Sequence, residues 1–203
     1  MRLLGLLLPR RLARDERGAT LPEFAIVLPT FLMLLFGIFD IGQTIYAQAV
    51  LQGAIQDAGR DAGLESGPNQ LAIIDKYIKA QTGPIVFGNP EYTLKRVNYR
   101  SFNDIGRPED FEDKNHNDSY DDDECFWDEN NTGQWEDDIG KNGVGGAKDV
   151  AVYTATVEYD RVFPLWKLIG LSEKNTITAS TALRNQPYGP QAARARTKIC
   201  PVA

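Results

Sequence analysis

Between Glu23 and Asp40 the chain carries no formal charge, and Phe24 to Phe39 is an apolar run of 16 residues. A helix rises about 1.5 Å per residue, so with its flanks this run fills a hydrocarbon core about 30 Å thick. A long helix with a membrane part at about 24–45 is therefore the first expectation. The five arginines of Met1 to Gly18 stand against Asp15 and Glu16, a net +3. Positive charge on that flank keeps the N-terminus cytoplasmic and sends the remainder across. Glu23 is the oddity, since an ionised group at the centre of a membrane helix costs at least about 2.5 to 3.5 kcal/mol and persists only with a partner.

The residues around it are Arg17-Gly18-Ala19-Thr20-Leu21-Pro22-Glu23-Phe24-Ala25-Ile26-Val27-Leu28-Pro29. Basic residues before Gly18, a Glu five positions later and then an apolar helix resemble the processing site of type IV prepilins, and most closely the TadE-like pseudopilins of tight-adherence (Tad) pili. The resemblance implies a leader, residues 1–18, cut between Gly18 and Ala19 by a prepilin peptidase. It also implies that Glu23 pairs with an N-terminal ammonium during assembly, and that residues 19–63 form a pilin-like helix. From the residues alone, Thr20-Leu21-Pro22-Glu23 is equally a capping box opening a membrane helix.

A secretory signal peptide is the rival reading, because Ala47-Gln48-Ala49 has the small-x-small look of a cleavage site. The apolar stretch is longer than the usual h-region of about 7 to 15 residues, and Asp40 and Gln43 interrupt it where apolar character should persist. From Ile45 to Ala62 the helical pattern continues with Ala47, Val50, Ala54, Ala58 and Ala62 on one narrow face, small enough for close packing against the chain's own domain or another helix. Pro29 and Gly37 are expected to bend the membrane part.

Beyond Gly63 the pattern changes. Pro68 to Ala80 reads as a short amphipathic helix with Leu71, Ile74 and Ile78 on one side, and Glu91–Tyr99, Val150–Tyr159 and Thr176–Leu183 read as strands. Phe163 to Leu171, apolar around Pro164 and Trp166, is expected to cover the sheet. Helices followed by strands give an α+β expectation, a small antiparallel sheet packed on the upper end of the long helix, within a domain spanning 64–203.

An acidic insertion at 104–140 is the second informative feature. Asp104 to Asp138 holds 15 Asp or Glu against Arg107 and Lys114, a charge of -13 in 35 residues. Such a block is disordered by default. Here, however, aromatics repeat in register with a period of 15 residues, Phe111 to Asp121 matching Phe126 to Glu136. Each copy is close to the calcium-loop pattern D-x-[DN]-x-[DN]-G-x5-E. The first places Asp113, Asn115, Asn117, the Ser119 carbonyl, Asp121 and Glu124 at positions 1, 3, 5, 7, 9 and 12, with Asp118 where Gly is usual. The second places Asp128, Asn130, Thr132, the Gln134 carbonyl and Glu136, with Gly133 at position 6. Its position 12 is Ile139, leaving Asp137 or Asp138 to substitute. One or two Ca²⁺ ions are the expected cofactor.

No nucleophile can be paired with a base from spacing, and the single His116 falls at loop position 4, facing away from an ion. Nucleic acid is excluded by the acidic surface, whose one basic patch after residue 18 is Arg194, Arg196 and Lys198. Cys125 and Cys200, the only cysteines, are expected to pair in an oxidising compartment. The resemblance thus implies a minor pseudopilin, a non-enzymatic subunit of a Tad-type pilus used for surface adhesion. Its partners would be other pilins, the assembly machinery, the prepilin peptidase and membrane lipid. It would sit in the bacterial inner membrane with its C-terminal domain periplasmic, or pass into the fibre. The alternative is a secreted or tethered calcium-binding interaction module.

Overall fold

The computed structural model describes residues 20–64, 68–163, 165–168, 170, 172–186 and 189–201. Helix α1 runs unbroken from Thr20 to Leu64, 45 residues, with Pro29 inside it and Glu23 in its first turn. Gly18 and Ala19 lie outside the described residues. Helix α2 (Pro68–Thr82) leads into β1 (Phe87–Tyr99). After the insertion come β4 (Val150–Asp160), the single turn α3 (Leu165–Leu168) and β5 (Lys174–Arg184). Within the insertion lie β2 (Phe126–Asp128) and β3 (Lys141–Asn142), and near the C-terminus β6 (Thr197–Ile199). One antiparallel sheet has the order β3-β1-β4-β5, and a second pairs β2 with β6.

The upper half of α1 packs on this sheet. Ala47, Leu51, Ile55 and Ala58 are buried with Ala151, Tyr153, Ala155, Val157 and Tyr159 of β4, with Ile177 and Ala179 of β5, and with Ile74 and Ile78 of α2. The small residues allow the close approach: a Cβ on Gly59 would stand 2.5 Å from Leu183 Cδ1. β5 is an edge strand, and such an edge invites pairing with another chain unless covered. Here Gln48 and Gln52 of α1 donate to the carbonyls of Thr178 and Ser180, 2.7 and 3.2 Å.

Apart from a contact at Phe36 and Phe39, the lower half of α1 stands largely clear of the other described residues. Phe24, Ile26, Val27, Phe31, Leu34, Ile38 and Phe39 are all more than half exposed. Its mean hydropathy over the best 18-residue window is 2.3, long and apolar enough to cross a membrane. The boundary is marked by Asp40, only 1% exposed. Its carboxylate accepts from Arg161 Nη1 at 2.6 Å and Trp166 Nε1 at 2.8 Å. Gln43 donates to the Ile85 carbonyl, and Asn175 links Thr44 to the Tyr159 hydroxyl. The connection carrying Phe163 packs on α1 rather than over the sheet. The Phe163 ring stacks on Phe36 at 4.5 Å and meets Phe39 edge-on at 6.0 Å. The Arg161–Asp40 pair draws it there, because a carboxylate in an otherwise apolar helix must find a cation or lose its charge.

Two leucine-sized truncations on the same helix should separate the halves. Leu51→Ala, at a fully buried position, should cost the domain about 2 to 5 kcal/mol in chemical denaturation of the micelle-bound chain. Ile41→Ala, at a side chain 53% exposed, should change that stability by no more than about 0.5 kcal/mol. Equal losses would contradict the division of α1 between core and surroundings.

Candidate metal centre

β1 starts beside the point where α1 leaves the domain and ends at Tyr99, so its 13 residues carry the chain about 40 Å to the far end of the sheet. The acidic insertion hangs there. Its two halves adopt the same backbone. His116 and Asp118 have φ of 60° and 59°, and Asn131 and Gly133, one repeat later, have 66° and 77°. These are positions 4 and 6 of each loop, and left-handed backbone is accessible to Asn, Asp and Gly at little cost. The position-1 carboxylate organises each turn. Asp113 accepts from the backbone N–H of Asp118 at 2.9 Å, which chiefly lowers the pKa of its carboxyl, and from that of Asn117 at 3.2 Å, which adds to the effect. Asp128 accepts in the same way from Asn131, Thr132 and Gly133.

The polar side chains at positions 3, 5 and 9 then converge. Asn115 and Asn117 both reach the Asp121 carboxylate, at 2.6 and 2.9 Å. In the second loop Asn130 and Thr132 both reach Glu136, the latter at 3.2 Å. The Gln134 carbonyl joins them by accepting from the Thr132 hydroxyl at 3.1 Å, whereas Ser119 is tied in through its N–H, donated to Asn117 Oδ1 at 2.7 Å. Among the described residues no three His, Cys, Asp or Glu side chains gather closely enough to hold a metal by themselves. Any ion would depend on the amide, hydroxyl and carbonyl oxygens as well. Such a mixed all-oxygen set is the donor chemistry of Ca²⁺ rather than of softer metals.

Position 12 is where the structure departs from the reading of the sequence. Glu124 is buried, and accepts from the N–H of Lys114 at 2.7 Å and of Asp121 at 3.3 Å, loop positions 2 and 9. In the second loop neither Asp137 nor Asp138 does this. Asp138 instead accepts from the Tyr99 hydroxyl at 2.7 Å and from the Gly140 N–H. The equivalent part is taken by Glu109, from upstream of both loops: it accepts from the N–H of Glu129 at 2.9 Å and of Glu136 at 3.3 Å, again positions 2 and 9. Glu109 is 1% exposed. Burial raises its pKa, partly offset by the N–H of Glu129, and Asp128 and Glu136 raise it further by repulsion. A signal was present, since Glu109 stands one 15-residue period before Glu124.

The acidic loops are held down by the C-terminal tail. β6 pairs with β2, Trp127 opposite Lys198. Cys125 and Cys200 form a disulfide with their Cα atoms 4.2 Å apart. Arg196 pairs with Asp110 and Glu129, Lys198 with Glu112, and Arg194 with Asp149 at 3.5 Å. Arg196 and Lys198 also stand over the Trp127 ring. An aromatic cluster of Phe111, Tyr120, Phe126 and Trp135 lies between the two loops, with Tyr120 stacked on Trp135 at 4.8 Å. The repeated aromatics are thus a small core, which explains their register.

Among the described residues these features define one helix long and apolar enough to cross a membrane and an α+β head that carries a folded acidic insertion at its far end. Residues 18–60 match the family model of TadE-like protein, so the long helix is TadE-like, as its N-terminal motif already suggested. The match ends within α1 and leaves the head unmatched. No curated protein and no solved structure matches the chain.

The equivalence of Glu109 and Glu124 can be measured without any ion. Glu109→Ala removes the acceptor for two backbone N–H groups, a loss of about 1 to 3 kcal/mol for each group left buried and unpaired. Hydrogen-exchange protection should fall at Glu129 and Glu136 and persist at Lys114 and Asp121, while Glu124→Ala should give the converse pattern. Uniform loss, or none, would show that these glutamates do not close separate loops.

Proposed function

We propose that this chain is a minor pseudopilin, a structural subunit of a Tad-type pilus or of the machine that assembles it. The observation that carries this reading is the TadE-like match over residues 18–60, which begins at the Gly of the processing motif and covers the apolar helix. A signal-peptide cut after Ala49 fits the fold poorly. It would sever α1 and remove Asp40, Thr44 and Ala47, all of which make contacts in the head. Cleavage between Gly18 and Ala19 leaves those contacts whole. Glu23 is exposed in the first turn of α1, free to meet the new N-terminal ammonium of its own chain or a neighbour's. The head lies on the periplasmic side, and other pilins pack along the apolar helix.

In this reading the insertion binds Ca²⁺. Asp113, Asn115, Asn117, the Ser119 carbonyl, Asp121 and Glu124 supply the first site. Asp128, Asn130, Thr132, the Gln134 carbonyl and Glu136 supply the second, with Glu109 closing that loop. The support is the shared backbone of the two loops and the all-oxygen donor set. A bound divalent cation would neutralise carboxylates that otherwise repel one another and would stiffen the end of the subunit farthest from the membrane.

Sequencing the mature N-terminus tests the pilin reading: Ala19 is expected, and Val50 would instead favour a secreted module. Gly18→Val should accumulate as an inserted, uncut precursor, and Glu23→Ala should be cut but assemble poorly. Normal piliation by Glu23→Ala would leave the carboxylate with a capping role only.

Calcium is tested separately. Titration to several millimolar should raise the melting temperature and alter the fluorescence of Trp127 and Trp135, at an affinity of about 10⁻⁴ to 10⁻³ M typical of extracellular sites. Asp113→Ala with Glu124→Ala should remove most of the response. Absence of both heat and stabilisation in the wild type would make the insertion a purely protein-held acidic lobe.

A further inference from the structure

A span needs about 20 residues to cross a 30 Å hydrocarbon core. Counted from Phe24, the residue after Glu23, it ends at Gln43. The head does not begin there. It reaches down to Phe36, on which Phe163 stacks at 4.5 Å, and seven residues at about 1.5 Å each put that contact roughly 10 Å inside the end of the span. The groups bracketing this contact suit a membrane boundary. Trp166 presents an indole whose N–H is already satisfied by Asp40. Arg161 lies over its ring at 4.8 Å with its charge paired to the same carboxylate. Lys167 and Glu173, 72% and 49% exposed, form an ion pair on the same connection. A second apolar corner occurs at the same end of the sheet. Phe87, 46% exposed and paired with Asp160, lines with Pro84, Ile85, Ile38, Phe39 and Tyr46 an open groove of about 730 Å³.

From this placement we propose that the head itself enters the outer leaflet: the β4–β5 connection carries Phe163 into the hydrocarbon and holds Trp166 nearer its edge, and the α2–β1 corner with Phe87 is seated in the membrane interface. The occupant of the groove is lipid, because the groove is continuous with the exposed face of the spanning helix and lies at the depth where the hydrocarbon ends. Aromatic rings with one polar edge and long cationic side chains are the groups that settle at that level. The subunit then meets the bilayer through three elements, which fixes the tilt and rotation of the head rather than leaving it to swivel on one helix. The inference rests on the membrane reading of α1.

The test uses the full chain in lipid nanodiscs containing phosphatidylcholine brominated at acyl carbons 6,7 or 11,12. Comparing wild type with Trp166→Phe isolates the Trp166 emission from that of Trp127 and Trp135, which lie at the far end of the sheet. The Trp166 component should be quenched more strongly by the 6,7 label than by the 11,12 label. Phe87→Trp in the Trp166→Phe background, which leaves the Asp40–Arg161 pair in place, should show the same order. A chain that incorporates into nanodiscs but shows no quenching at either position overturns this inference and leaves the span intact. A chain that fails to incorporate at all overturns the membrane reading with it.

Discussion

One carboxylate decides where the long helix stops being surrounded by protein. Asp40 interrupts an otherwise apolar stretch and is buried with a single well-placed ion pair to Arg161 and an indole N–H from Trp166. A buried charge of this kind adds little net stability over an apolar replacement, yet removing its partner leaves an uncompensated charge worth about 3 to 5 kcal/mol of destabilisation. Its value is positional. The pair fixes the axial register of α1 against the end of β4, so the β4–β5 connection has to descend along the helix to Phe36. Leu51 and Ile55, fully buried on the same face of the helix as Ala47 and Ala58, resist a slide by a turn together with the pair.

Above that point helix and sheet form a conventional core, and below it, apart from Phe163 against Phe36 and Phe39, α1 presents apolar side chains to its surroundings. The same helix therefore shows no consistent amphipathic stripe along its 45 residues. Its lower half is apolar on every face and only its upper half has a face to bury. This division also separates the two parts of the molecule that carry chemistry. The membrane part of α1 is at one end of the sheet, and the acidic insertion is about 40 Å away at the other.

At that far end, the charge balance of the head is local. The insertion's carboxylates outnumber its own cations by thirteen, and two basic residues of the tail, Arg196 and Lys198, are folded back onto it. β6, the Cys125–Cys200 disulfide and the Trp127 ring together make the tail a clamp across the base of both loops. The clamp organises the outside of the loops and leaves the inner carboxylates, Glu109 and Glu124, to the backbone N–H groups alone.

The element order was legible in the sequence because hydrophobic periodicity reports burial directly. β5 alternates as its residues do, with Ile177 and Ala179 inward and Thr176, Thr178 and Ser180 outward, and α1 and α2 begin and end within two residues of the pattern. The internal repeat was legible too, since Phe111 and Phe126 recur in register and do pair as a bridge. Three-residue strands such as β2 and β6 carry too few positions for a period, and their pairing depends on the disulfide and on charges about 70 residues away in sequence. Which carboxylate closes the second loop was likewise decided only in three dimensions. Ile139 takes the place of a glutamate and is buried beside Val97 and Tyr99, and Glu109 reaches the loop from an upstream segment lying alongside it. Sequence determines which groups are available and what they would cost to bury; contacts between distant segments determine which of them meet.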